Sequence, residues 1–423
     1  MKILEKANTS ITPKIKKPEL LAPAGNLEKL KIAVHYGADA VFLGGQEYGL
    51  RSNAGNFTMA EIEEGVNFAR KYGAKIYVTT NIIAHDENIE GLDAYLKDLE
   101  ATGATGIIVA DPLIIETCKR VAPSLEIHLS TQQSLSNYKA VEFWKEEGLD
   151  RVVLARETGA MEMQEMKDKI DIEIEAFIHG AMCIAYSGRC TLSNHMTARD
   201  SNRGGCCQSC RWDYDLLAVD DDGELDLLYN ENDVVPFAMS PKDLKLIESI
   251  PNMMDIGIDS LKIEGRMKSI HYIATVVSVY RKVIDAYAVD PENFKINPNW
   301  LVELNKCANR ATAPAFFEGT PGYEEQMFGS VGEKNQSSYD FCGLVLDYDD
   351  TTQIATIQQR NKFAPGEEIE FFGPEIDTFK QVVEHIYDEE GNELDAARHP
   401  LQIIQIKVDK LLYANNMIRK EIG

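Results

Sequence analysis

The feature that most constrains this chain is a repeat of short apolar, β-branched runs separated by intervals of helical length. The runs lie at 19–25 (ELLAPAG), 39–45 (DAVFLGG), 75–81 (KIYVTTN), 106–111 (GIIVAD), 126–132 (EIHLSTQ), 151–157 (RVVLARE), 172–180 (IEIEAFIHG) and 260–266 (SLKIEGR), and they read as eight strands. Between the first two, Leu27, Leu30, Ala33 and Val34 make one apolar helix face, and residues 59–72 and 134–148 repeat the pattern. Thr58 with Glu61 three positions on has the form of a capping box, and Gly37, Gly73, Gly103 and Gly148 stand where helices close. Strands alternating with helices on short joints predict a parallel sheet, and eight units predict an eight-stranded β/α (TIM-like) barrel. A doubly wound open sheet is the alternative, but no G-x-G-x-x-G loop follows the first strand.

This assigns residues 1–18 to a basic leader, 19–288 to the barrel with 270–287 as its last helix, 289–340 to a connecting region, and 341–423 to a second domain. In that last stretch the rhythm turns all-β, with five or six short strands separated by turns, as in a small C-terminal β-barrel domain. The acidic stretch 220–233 reads as a solvated hairpin, since it lacks the spacing of a calcium loop. No run of eighteen apolar residues occurs, which predicts no membrane span, and nothing at the N-terminus has the pattern of a signal peptide. A formal net charge of −25 points to a cytoplasmic protein and away from general nucleic-acid binding, so a polyanion would need a local basic patch. Candidates are Lys14, Lys16 and Lys17 in the leader, and Arg189, Arg199, Arg203 and Arg211 in the segment that follows the seventh strand.

That segment, 183–210, holds five of the eight cysteines. Cys183, Cys190, Cys206 and Cys210 have the spacing C-x6-C-x15-C-x3-C, which suits four thiolates around a structural zinc or an iron–sulfur cluster. The looseness of both pairs favours the larger cluster over the tight C-x2-C pairs of zinc knuckles. Cys207 competes with Cys206 as a ligand, whereas Cys118, Cys307 and Cys342 read as small core thiols. Disulfides are disfavoured in a reducing compartment.

In a β/α barrel, chemistry sits at the C-terminal ends of the strands, and the cysteine insertion after strand seven would lie over that mouth. Polar strand ends there include Arg156, Glu157, His179, Glu264 and Arg266. Asp111, before Pro112, reads at least as well as a helix cap, and a lone histidine such as His179 is commonly a satisfied interior residue. No H-E-x-x-H or G-x-S-x-G motif is present.

The stretches ELLAPAG, DAVFLGG, EAFIHGAMCIAYSGRCTLS, NRGGCCQSCRW and KIEGRMKS closely resemble the collagenase-like peptidase U32 family, from Glu19 through the C-terminal β domain. Within it the chain is most similar to the bacterial branch implicated in hydroxylating the wobble uridine of tRNA. The resemblance implies oxygen-independent formation of 5-hydroxyuridine, with prephenate as co-substrate and a 4Fe-4S cluster on Cys183, Cys190, Cys206 and Cys210. It places Cys206 rather than Cys207 in the ligand set, and leaves zinc as the lesser alternative. It further implies the tRNA anticodon loop as partner, mouth residues Arg156, Arg189, His179, Glu264 and Arg266 as catalytic candidates, and arginines among them holding the prephenate carboxylates. The family's name implies a rival protease activity, and a non-catalytic RNA-binding partner of a shorter paralogue is a third reading. Arg203, Cys207 and the 309–316 stretch depart from the pattern of that branch.

Overall fold

The structure, a computed structural model, describes residues 15–50, 55–214, 217–219, 223, 225–227, 239–307, 310–322 and 337–422. Strands β1 (Glu19–Pro23), β2 (Ala40–Gly44), β3 (Lys75–Thr79), β4 (Gly106–Val109), β5 (Glu126–Leu129), β6 (Arg151–Val153) and β7 (Glu173–Gly180) pair in parallel in chain order. A small antiparallel hairpin, β8 (Leu217–Val219) with β9 (Leu225–Leu227), enters the acidic stretch as expected; the rest of 220–233, apart from Gly223, lies outside the described residues. β10 (Asp243–Lys245) then runs antiparallel beside the end of β7, an addition that the periodicity does not reveal. β11 (Ser260–Ile263) pairs in parallel with both β1 and β7 and so closes an eight-stranded ring. This closure rules out the open sheet.

Helices α1 (Leu27–His35), α2 (Met59–Lys71), α3 (Leu92–Ala101), α4 (Pro112–Val121), α5 (Tyr138–Glu146) and α6 (Ala160–Lys169) fill the joints between β1 and β7. α7 (Leu192–Thr197) belongs to the cysteine segment, α8 (Ile250–Ile256) precedes β11, and α9 (Ile270–Val289) and α10 (Pro298–Asn305) follow it. The local signals act as read. Thr58 Oγ1 accepts from the Glu61 amide at 3.2 Å while Glu61 Oε2 accepts from the Thr58 amide at 2.9 Å, satisfying two otherwise orphaned donors at the start of α2. Asp111 is a cap: one oxygen accepts from Leu113 N and the other from Ala84 N, each at 2.9 Å. No helix among the described residues is long and apolar enough to cross a membrane.

Inside the ring, Leu21, Ala40, Phe42, Tyr77 and Ile108 form an apolar cluster. Below it, the first residues of several strands carry charge. Arg151, at the start of β6 and 2% exposed, donates through Nη1 to Glu19 at 2.6 Å and to Glu175 at 3.1 Å, and through Nη2 to Glu173 at 2.7 Å. Lys262 Nζ lies 2.8 Å from the other oxygen of the fully buried Glu175. Burial alone would raise the Glu175 carboxyl, but the charges of Lys262 and Arg151 outweigh it and hold it below its ordinary value. These chains plug the N-terminal end of the barrel.

After β12 (Thr312–Ala313), which pairs with β10, the C-terminal unit comprises β13 (Tyr339–Asp349), β14 (Ile354–Gln359), β15 (Glu368–Gly373), β16 (Ile376–Val382), β17 (Ile386–Tyr387), β18 (Glu393–Leu394), β19 (Ile403–Lys407) and β20 (Met417–Glu421). They form one antiparallel sheet ordered β16-β15-β20-β13-β14-β19-β17-β18 around a core that includes Val345, Ile357, Phe371, Ile404 and Ile418. The all-β domain is as expected, with eight strands in place of five or six. It packs on the barrel through Phe341 stacked on His271 at 5.5 Å, and through the buried Arg419, which donates to Glu303 at 2.6 Å and to Glu370 at 2.7 Å.

Candidate functional site

The cysteine segment lies over the C-terminal mouth of the barrel. Gly188, with φ of +73°, sits so close to Gln132 after β5 that an added Cβ would lie 3.1 Å from the Gln132 Cβ. A side chain there would strain the left-handed backbone and require Gln132 to give by a few tenths of an ångström. Ser187 lies 3.4 Å from Arg156 Nη1, Arg203 pairs with Glu87, and Ser201 Oγ and Asn202 Nδ2 both donate to the Cys190 carbonyl. Position and sequence expectation agree on the insertion's placement.

Under this loop is a cavity of about 190 Å³ lined by Cys183, Cys206 and Cys210 together with Arg156, Arg211 and Glu264. Burial pushes the Cys210 thiol up; Arg211 pulls it down, and Cys183, Cys206 and Cys190 add to the upward push. Cys183, Cys206 and Cys210 thus border one cavity, and Cys190 is not among the residues that line it. Cys207 is turned elsewhere: its sulfur contacts Thr197 Oγ1 at 3.3 Å and the Gly205 carbonyl, and its amide donates to Ser193. Among the described residues no group of three or more His, Cys, Asp or Glu is placed to hold a single metal ion.

The mouth sets cations beside carboxylates: Arg156 and Arg211 line the cavity with Glu264, and Arg310 pairs with Asp243 at 3.5 Å. Burial lowers Arg310 and Lys268, and each is lowered further by the neighbouring charge of Arg211. Arg156 stacks its guanidinium 3.8 Å over the Phe177 ring, which holds the cation at the cavity wall while Nη1 donates to Ser187.

Of the five catalytic candidates, the structure brings Arg156 and Glu264 to the cavity wall. Arg266 lies nearby at the mouth, buried and donating to Asn56 at 2.8 Å and Thr79 at 3.3 Å. Its guanidinium lies close against Gly44, so an added Cβ there would require the Arg266 head group to shift. Arg189 is exposed and does not line the cavity. His179 also stands apart from it. The β7–β11 register shifts between Lys262 and Ile263, and His179 packs instead against the α9 side chains Tyr272 and Tyr280. The Tyr280 hydroxyl donates to the Ile178 carbonyl at 3.0 Å, leaving His179 Nδ1 to donate to that hydroxyl at 3.2 Å. Burial lowers the His179 pKa to about 3, so the ring is neutral at physiological pH.

Sequence reasoning missed two features. Arg211, weighed only as part of a basic patch, lines the cysteine cavity; its place beside Cys210 was the available signal. A second cavity of about 230 Å³, bordered by Glu157, Met182, Tyr186, Lys242 and Phe316, shares Met182 and Cys183 with the first. Its walls come from four separate segments, which no linear pattern joins. Burial raises the Glu157 carboxyl above its ordinary value, against the opposing effects of a backbone hydrogen bond and Arg156.

Comparison with known proteins adds ancestry to this geometry. The chain is 75% identical over 405 residues to tRNA hydroxylation protein P1 of Bacillus subtilis, covering 96% of this chain and 95% of that protein. It is 32% identical over 423 residues to tRNA hydroxylation protein P of Escherichia coli, covering 90% and 91%. It is also 39% identical over 268 residues to the 23S rRNA 5-hydroxycytidine C2501 synthase of E. coli, covering 63% of this chain and 39% of that protein. Residues 25–327 match peptidase family U32 and residues 337–419 match the peptidase family U32 C-terminal domain, and the chain accordingly belongs to peptidase family U32.

Proposed function

We propose that this chain is a tRNA-modifying enzyme that hydroxylates C5 of the wobble uridine, with a 4Fe-4S cluster on Cys183, Cys190, Cys206 and Cys210 and prephenate as co-substrate. The observation that carries the reading is the 75% identity, across nearly the full length of both chains, to a protein named for tRNA hydroxylation. The relative named as a 5-hydroxycytidine synthase supports C5 of a pyrimidine as the target.

The donor set fits the cluster. Cys183, Cys206 and Cys210 border a void, and Cys190 on the same loop would complete the set, which supports a body of several atoms held by four sulfurs. Arg156 and Arg211 in the cavity lining would offset part of the negative charge of four thiolates. When bound, the cluster would supply electron transfer or Lewis-acid activation at the mouth. Arg156 and Arg211, on the same cavity wall, are the groups placed to take the carboxylates of a dicarboxylate such as prephenate, since a guanidinium fork matches a planar carboxylate. The Gly188 contact seats the loop against the barrel beside Gln132.

The test is anaerobic purification with iron and sulfide analysis, followed by incubation with unmodified tRNA and prephenate and mass spectrometry of the nucleosides. About four irons per chain and prephenate-dependent 5-hydroxyuridine are expected. Zinc in place of iron, or cleavage of protein substrates by cluster-free material without any nucleoside product, would refute the reading.

A further inference from the structure

The cavity beside the cysteine chamber has a composition that the hydroxylation chemistry leaves unexplained. Its walls are largely apolar, yet Glu157 and Lys242 border it, and Tyr186 and Phe316 supply two aromatic side chains. Tyr186 is 47% exposed. An aromatic ring left this open on a loop over a barrel mouth leaves much of its apolar surface in water unless another surface covers it.

The volume, about 230 Å³, suits one planar ring with its substituents and not a length of folded peptide. A base drawn out of an RNA loop requires three things of such a pocket: apolar or aromatic faces against its rings, hydrogen-bonding groups for its Watson–Crick edge, and an opening onto the reacting centre. This cavity has the first two in its lining and adjoins the cysteine chamber. Uracil presents an N3–H donor flanked by two carbonyl acceptors, which matches a carboxylate and an ammonium in the same lining. Met182 and Cys183 border both cavities, so a ring seated here would lie next to the cysteine chamber.

We propose that this cavity is the pyrimidine pocket: Tyr186 and Phe316 pack against the extruded base, Glu157 accepts from N3–H, and Lys242 donates to a ring carbonyl. The proposal rests on the tRNA-hydroxylation reading and gives it a base-recognition site separate from the co-substrate cavity. It also assigns specificity. A carboxylate at the N3 position favours uridine, which donates there, over cytidine, which accepts.

The experiment uses the full chain, purified anaerobically, and an RNA hairpin with the sequence of an anticodon stem–loop carrying uridine, cytidine or an abasic site at the wobble position. Binding is measured by fluorescence anisotropy. The uridine hairpin is expected to bind about tenfold more tightly than the abasic one, in keeping with base–aromatic stacking. Tyr186→Ala and Phe316→Ala should erase that difference while iron content and circular dichroism stay at wild-type values. Glu157→Gln should reduce the preference for uridine over cytidine and leave the abasic hairpin's affinity unchanged. Equal binding of uridine and abasic hairpins by the wild type, or base dependence persisting in both aromatic variants, would overturn the proposal. Base-dependent binding with no hydroxylation when prephenate is supplied would sink the activity reading alone and leave the pocket standing.

Discussion

Replacing Arg151 with methionine removes the centre of the charged plug at the barrel floor. Arg151 is 2% exposed and Glu175 is fully buried, so solvent screens their interaction little. Breaking a buried pair from one side costs about 3–5 kcal/mol, because the remaining charge stays desolvated and unpaired. Here Glu175 keeps Lys262 at 2.8 Å, and Glu173 is 48% exposed, so neither is stranded completely; the expected loss lies at the lower end, about 3 kcal/mol. Glu175→Gln should cost at least as much, since Lys262, 5% exposed, then loses its carboxylate partner. Urea unfolding at neutral pH, followed by circular dichroism, reads the loss as a fall in the midpoint at unchanged slope. The double variant should lose less than the sum of the two single losses, as residues in one network are coupled. A loss below about 1 kcal/mol for Arg151→Met, or strict additivity, would show that the plug is not held by this network.

Three further outcomes follow from the geometry. The Glu175 pKa is lower in the folded than in the unfolded chain, so its contribution to stability is complete above the unfolded value and vanishes as pH falls through the folded one; acid unfolding of Arg151→Met should begin at a higher pH than in the wild type, as followed by circular dichroism. If the thiol cavity holds a cluster, Cys206→Ala should lose its iron and absorption spectrum while Cys207→Ala retains both, because the Cys207 sulfur is turned toward Thr197. Gly44→Ala forces a Cβ into the Arg266 guanidinium and should destabilise the fold by about 1–3 kcal/mol, with Arg266→Ala in the same background recovering part of that loss in the urea midpoint.

The barrel was legible because short continuous apolar runs, buried on both faces as parallel strands are, alternate with amphipathic helices and recur eight times with caps and glycines at the joints. What escaped notice had weaker signals. β10 is three residues long and falls outside that alternation of strand and helix. β20 holds a central place in the C-terminal sheet, yet its sequence Met-Ile-Arg-Lys-Glu reads as a surface run; Arg419 is buried there only because Glu303 and Glu370, distant in sequence, meet it. At the mouth, strand-end polarity pointed to Arg156 and Glu264, which line the cysteine cavity, and to His179, which packs against α9; the irregular register between β7 and β11 is a three-dimensional event with no mark in the sequence. The cysteines were legible as a group because their spacing stands out on one loop, and the structure brings Cys183, Cys206 and Cys210 to one cavity.

The plugged floor has a consequence for traffic. Arg151, Glu19, Glu173 and Glu175 fill the N-terminal end of the ring, which makes the barrel a cup with one rim and no drain. In the proposed reaction, anything bound beneath the cysteine loop would arrive and depart across that rim, and a spent co-substrate would have to clear the opening before a fresh one entered.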